Sequence, residues 1–163
     1  MIFITLGSQK FQFNRLLKAV DDLIESGVIQ DDVFAQIGHS DYIPKHYSYK
    51  QFLDREEFSQ QEADCDILIT HGGTGAIIGA VKKGKKVIAV PRLAKYGEHV
   101  DDHQLQLIEQ FKGQNLICGL EDTTELEKGL IFVKEHEFGA YQSNTKAIVE
   151  SIDRFIEGLR KRK

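Results

Sequence analysis

The sequence predicts an α/β domain, a parallel sheet covered by helices, and three observations carry that reading. Short runs of apolar, largely β-branched residues recur along the chain. Stretches of helical periodicity separate them. The runs are apolar throughout instead of alternating, as strands buried on both faces must be.

The first run is Ile2-Phe3-Ile4, and the next are Val33-Phe34-Ala35, Ile67-Leu68-Ile69, Val87-Ile88-Ala89-Val90 and Leu116-Ile117-Cys118. Between the first two, Phe13, Leu16, Leu17, Val20, Leu23 and Ile24 form the stripe of an amphipathic helix, with Gly27 placed to end it. The segment from Asp41 to Gln61 is the least regular; it suggests a short strand within Tyr47–Leu53 and a helix from about Glu56 to Ala63. After the third apolar run, Ala76, Ile77, Ala80 and Val81 mark the inner side of a helix. Lys82 and Lys83 suit its negative end, and Gly84 its left-handed cap. Leu105, Ile108 and Phe111 pattern a further helix, and Thr124-x-x-Glu127 reads as a capping box opening the next. A last helix carries Ile148, Ile152, Phe155, Ile156 and Leu159, then ends in Arg160-Lys161-Arg162-Lys163. The repeated β-α-β order predicts right-handed crossovers in a Rossmann-like sheet, spanning residues 1–163 as one domain. Ligands of such sheets sit at the carboxyl ends of the strands, beside the point where the winding reverses.

Composition narrows the function. The chain has 163 residues, 41% hydrophobic and 28% charged, which is ordinary for one globular domain. A net charge of -4 argues against a nucleic-acid binder, since backbone phosphates demand a basic face. Cys65 and Cys118 form no disulfide framework and read as reduced, buried thiols of a cytoplasmic protein. Met1 to Leu6 is apolar but stops at Gly7, the pattern of a buried strand and not of a signal peptide. No apolar run approaches the roughly 20 residues that span a bilayer.

The strongest local signal follows the third apolar run, where Thr70 leads into His71-Gly72-Gly73-Thr74-Gly75 and a helix starts at once. Glycine lets the backbone approach a phosphate, and a helix start supplies unpaired N–H groups and a positive dipole end. Thr74 could cap the helix or donate its hydroxyl to a ligand. A tight turn with no ligand is the competing reading. Gly7 and Ser8, after the first strand, could offer further donors to the same diphosphate, or form a plain turn with a serine cap. In the loop after the fourth run, Arg92 and Lys95 could neutralise phosphate, while Asp102, His103 and Gln104 open the next helix. Amide and carboxylate groups there could read sugar hydroxyls; alternatively Asp102 caps the helix and its neighbours lie at the surface.

Several familiar patterns are excluded. Gly72 to Gly79 fits G-x-G-x-x-G in no register, so no NAD site is indicated. Gly79 to Lys86 matches most of a P-loop, but it ends in Lys86 where Ser or Thr should hold magnesium. It also sits between a helix and the next strand, the reverse of the order needed. His99, Asp101 and His103 are close in sequence but lack a third zinc ligand in register, so no metal site is assigned.

The ordered set Thr5-Leu6-Gly7-Ser8, Ile69-Thr70-His71-Gly72-Gly73-Thr74-Gly75, Gly84-Lys85, Val90-Pro91-Arg92 and Asp102-His103-Gln104 resembles the donor-binding lobe of family 28 glycosyltransferases. It is most similar to small bacterial subunits that act in pairs in capsule and exopolysaccharide synthesis, and through them to the soluble subunit of the split lipid-linked N-acetylglucosaminyl transferase. The resemblance covers nearly the whole chain. It implies one lobe of a GT-B enzyme cut in two, with this chain binding a UDP-sugar. A membrane-anchored partner would hold a lipid-linked saccharide acceptor and recruit this cytoplasmic chain to the inner face of the membrane. Gly7 and Ser8 would contact the diphosphate from one side, and His71, Gly72, Gly73, Thr74 and Gly75 would cradle it from the other. His103 and Gln104 would face the sugar. A hexose, galactose or N-acetylglucosamine, would be transferred without metal or other cofactor, and no residue here is assigned as the base. The chain departs from the resemblance at Gly79, where many relatives carry a glutamate that holds the ribose. The alternative function is a non-catalytic subunit of the same fold that stabilises a partner transferase.

Overall fold

Strand β1, Ile2–Thr5, lies in the middle of a six-stranded sheet and pairs in parallel with β2 (Val33–Gln36) on one side and β4 (Ile67–Thr70) on the other. The computed structural model describes residues 1–143, 149–152 and 154. The helix expected over Ile148 to Leu159, with its basic end, lies largely outside the described residues.

Outward from β2 comes β3, Ser48–Lys50; outward from β4 come β5, Lys86–Ala89, and β6, Cys118–Gly119. The order is β3-β2-β1-β4-β5-β6, every pairing is parallel, and the winding reverses between β1 and β4. The helices are α1 (Asn14–Glu25), α2 (Arg55–Asp64), α3 (Thr74–Lys82), α4 (His103–Gly113) and α5 (Leu126–Glu135).

Strand periodicity divides the core into two layers. Ile2 and Ile4 join Leu16, Leu17 and Val20 of α1, and Leu130 and Val133 of α5, on one face. Phe3 and Leu68 pack on the other with Ile77, Ala80 and Val81 of α3 and Ile108 of α4. Because both faces are covered, alternating residues of one strand are all apolar.

Three expectations shift in detail. The last strand is shorter than the run Leu116 to Cys118, because Leu116 and Ile117 enter the core before pairing begins. The capping box expected at Thr124 does not form. The turn Thr123–Glu125 precedes α5, and Asp122 accepts the Thr124 N–H instead. A capping box does form at Asp54 and Glu57, opening α2 within the segment that was hardest to read.

The lysines flanking Gly84 also find a structural role. Lys85 donates to the carbonyl of Ala63 in the last turn of α2, and Lys86 donates to Val133 and Lys134 at the end of α5. Lys83 pairs with Glu62 at 2.6 Å. In a parallel α/β sheet the negative helix ends gather at the amino edge, and these side chains satisfy them. The P-loop likeness therefore has no phosphate-binding counterpart in the fold.

Candidate functional site

The loops that follow β1 and β4 meet at the carboxyl edge of the sheet, where the winding reverses. The two strands are tied there by Thr70, whose hydroxyl donates to the carbonyl of Thr5 at 2.9 Å. His71 is next in sequence and is buried, its ring packed between two glycines. A Cβ on Gly7 would lie 2.7 Å from His71 Cε1, and one on Gly73 would lie 2.5 Å from His71 Nε2. Gly7 also has φ +69°, a conformation that other residues enter at a cost. Sequence and packing thus demand glycine at both positions. Burial, reinforced by the charge of Arg92, pushes the His71 pKa down to about 4, so the imidazole is neutral at neutral pH.

The cradle is narrower than the sequence suggested. The Gly72 N–H donates to Gln104 Oε1 at 3.3 Å, and the Gly73 N–H donates to the carbonyl of His71 at 2.7 Å. Both amides are therefore engaged within the protein. Gly73, not Thr74, occupies the N-cap position of α3, and no side chain caps the helix. Thr74 opens the helix as its first residue, exposed like Gly75. The amides of Thr74, Gly75 and Ala76 precede the first helical hydrogen bond, from Ile77 to Gly73, and meet no acceptor among the described residues.

At each of the other α-helix starts at least one of the first three helical amides finds an acceptor within the protein, although only α2 has a side-chain cap at its N-cap position. Ser40 Oγ and Gln12 Oε1 accept from Phe13 and Asn14 at α1, and Asp54 caps α2. Asp101 accepts from His103 at α4, and Asp122 serves the turn before α5. The start of α3 is set apart by three consecutive amides without an acceptor among the described residues, at the reversal point of the sheet.

The structure redistributes the remaining expected residues. Gln104 is buried, and its carbonyl oxygen accepts from both Gly72 and Arg92, so that half of its amide binds two loops together. His103 is exposed at the start of α4, as is Ser8 in the loop after β1. Ser8 lies well ahead of α1 and is not its cap. The Asp102 carboxylate does not cap the helix it precedes but accepts from Ala94 at 2.8 Å, while the Asp102 carbonyl accepts the Leu105 N–H. Arg92, expected as a group that could neutralise phosphate, is wholly buried, and donates through Nη2 to the carbonyls of Leu6 (2.7 Å) and Phe11 (3.1 Å). Among the described residues no group of three metal-ligating side chains is assembled.

Sequence reasoning missed Arg15 and Glu98. Arg15 reaches from α1 to both oxygens of Glu98 at 3.0 Å and to Asp122 at 2.9 Å, with its guanidinium 4.5 Å from the Tyr96 ring. Glu98 is 1% exposed and also accepts the Leu93 N–H. This pair holds the loop after β5 against α1. Its members are 83 residues apart, and neither carries a local motif.

Gly79 has a spatial explanation. A Cβ there would fall 2.8 Å from Glu62 Oε1, and Glu62 is buried in α2 and paired with Lys83. A carboxylate from the neighbouring helix already holds the space beside position 79.

A parallel sheet in this order, with an uncapped glycine turn at its reversal point, defines a Rossmann-like domain of the kind that forms one lobe of GT-B glycosyltransferases. The chain belongs to the glycosyltransferase family 28 C-terminal domain, whose family model matches residues 1–157. Among solved structures it is similar to the glycotransferase of kitacinnamycin, with 14% identity, a TM-score of 0.60, and coverage of 83% of this chain and 35% of that one. It is also similar to MurG of Acinetobacter baumannii, with 15% identity, a TM-score of 0.55 and coverage of 82% and 41%. SnogD from Streptomyces nogalater matches with 19% identity, a TM-score of 0.50 and coverage of 74% and 31%. These likenesses show the fold, and the chain spans about a third to two fifths of the length of those structures. No curated protein matches it. No helix among the described residues is long and apolar enough to cross a membrane.

Proposed function

We propose that this chain is the donor-binding part of a glycosyltransferase that holds the diphosphate of a UDP-sugar at the start of α3. The observation that carries this reading is the run of three unpaired amides, Thr74, Gly75 and Ala76, at the reversal point, a run that no other α-helix start among the described residues shows. Helix starts of this kind bind anions through converging N–H groups and the dipole. Gly7 and Ser8 line the facing loop, His71 sets the spacing of the two loops, and the exposed His103 and the Gln104 amide nitrogen face the sugar.

The chemistry proposed is transfer of a hexose, galactose or N-acetylglucosamine, to a hydroxyl of a lipid-linked saccharide in capsule or exopolysaccharide synthesis. Negative charge grows on the leaving diphosphate as the glycosidic bond breaks. Amides already aimed at that charge stabilise the transition state more than the ground state. The acceptor and the base are assigned to a second, membrane-anchored chain, as the resemblance to split transferases implies.

Calorimetry with UDP and UDP-sugars tests this directly. Binding to the wild-type protein and its loss in Gly73→Val support the reading, since a side chain there displaces His71. If no donor binds, with the membrane-anchored chain co-expressed or without it, the chain is an accessory subunit and not the donor site.

A further inference from the structure

The loop after β1 rests on a guanidinium whose charge is not neutralised. Arg92 is wholly buried, and of its donors Nη2 serves Leu6 and Phe11, while Nε and Nη1 have no partner. No carboxylate pairs with it among the described residues; Glu98, the acidic group acting on it from a distance, is already tied to Arg15 and the Leu93 amide. Burial lowers its pKa only to about 10, so the group stays charged at neutral pH. An interior charge is costly unless compensated; the two carbonyls and the Phe13 ring, 5.7 Å from the guanidinium carbon, offset part of it, and an anionic partner would offset the rest.

Its placement says what that is. Leu6, which it grips, immediately precedes Gly7, and the Arg92 charge is felt by His71, the ring wedged between Gly7 and Gly73. The guanidinium therefore sits beneath the two loops that flank the uncapped start of α3. Other sources of positive charge are weaker candidates. Lys85 and Lys86 are spent on helix ends at the opposite edge. His71 is neutral at neutral pH, and the Lys95 ammonium lies over the Tyr96 ring on an exposed turn.

We infer that Arg92 is a positioning and specificity-determining residue: a buried counter-charge that makes the start of α3 select diphosphates over monophosphates and uncharged nucleosides without touching the ligand. This rests on the nucleotide-binding reading and adds the selection rule. The field of a desolvated charge reaches further than that of a surface lysine and is screened less by salt, so each added phosphate charge gains from it.

The test compares Arg92→Gln, which removes the charge and, being shorter, the Leu6 contact as well, with Arg92→Lys, which keeps the charge. Affinities for UDP, UMP and uridine are measured by calorimetry. Arg92→Gln is expected to lose on the order of tenfold for UDP, less for UMP, and nothing measurable for uridine, while Arg92→Lys keeps most of the UDP affinity. Independently of any ligand, Arg92→Gln should raise the His71 pKa towards the ordinary imidazole value in an NMR titration, and Arg92→Lys should not. Equal losses for all three ligands make Arg92 a structural clamp and overturn the inference, as does unchanged UDP affinity in Arg92→Gln; both outcomes leave the nucleotide site standing. Should wild-type protein bind no UDP, with or without the membrane-anchored chain, the nucleotide reading and the inference fall together. Should Arg92→Gln not fold, the wild-type preference for UDP over UMP decides. It persists at about 0.5 M salt if a buried charge sets it and vanishes if surface lysines do.

Discussion

The two edges of the sheet carry opposite electrostatic problems and solve them differently. At the amino edge the negative ends of α2 and α5 converge, and Lys85 and Lys86 reach their last carbonyls. At the carboxyl edge the positive ends converge. There α1, α2 and α4 are supplied by Ser40, Asp54 and Asp101, while α3 is left open above a buried, unneutralised Arg92. One edge is balanced within the chain, and the other keeps an open helix start that, under the proposed function, an anion balances. A parallel sheet fixes which edge is which, because all its helices run the same way.

Substitutions at the two edges should therefore differ in kind, and the largest effect is expected from Gly7→Ala. Entering the left-handed region costs about 1–2 kcal/mol, and the new Cβ, 2.7 Å from His71 Cε1, must push the ring out of its slot. Loss of nucleotide affinity should accompany the drop in stability, read by urea denaturation and calorimetry together. Retained affinity would show that the His71 slot does not shape the site.

Glu98→Ala comes next. It leaves the Leu93 amide and the Arg15 guanidinium without their shared acceptor, a loss of roughly 2–4 kcal/mol for a pair of this burial. The loop after β5 should then exchange its amide hydrogens faster. Protection equal to wild type would mean that the loop is held by something other than this pair.

A comparable effect should appear as a pH dependence. The His71 pKa is lowered in the folded protein from 6.5 to about 4, so the unfolded chain binds the proton first as pH falls. The stability tied to the neutral ring is complete above about pH 6.5 and declines by about 1.4 kcal/mol per pH unit down to about 4. Urea midpoints measured across that window should flatten in His71→Gln. A variant with the wild-type slope would place the titrating group elsewhere.

At the amino edge, Lys86→Met should cost only about 1 kcal/mol, from two carbonyls returned to solvent, and leave ligand affinity unchanged. A change in affinity there would break the division between the edges. The smallest effect is expected from Lys95→Ala, less than about twofold in UDP affinity, because an exposed charge is screened. A tenfold loss would move the anion's counter-charge from Arg92 to the surface.

Much of this was legible from local pattern. The alternation of apolar runs and helical stripes marked five of the six strands, and the glycine turn after Ile69 lies, as expected, between a strand and a helix at the carboxyl edge. The sixth strand, β3, was less clear because all three of its residues are exposed and lack an apolar signature. The capping box at Asp54 and Glu57 was readable in principle, since Asp-x-x-Glu is a helix-start pattern, but a polar helix with almost no apolar stripe followed it. The burial of Arg92 was hidden for a different reason. A charged residue after a buried strand reads as surface, and nothing near it in sequence reveals that the loop after β1 folds over it.

By itself the sequence determined the layers, the edge that carries the glycine turn, and the need for small residues there, because those depend on the periodicity and stereochemistry of neighbouring residues. The tertiary structure alone decided which amides remain open, that Gln104 ties two loops, that Glu62 occupies the space beside Gly79, and that the Arg92 charge is buried and unpaired. Each of those facts is a relation between residues that local sequence does not connect. Whether a polar group is satisfied depends on which distant atoms the fold brings within about 3 Å of it.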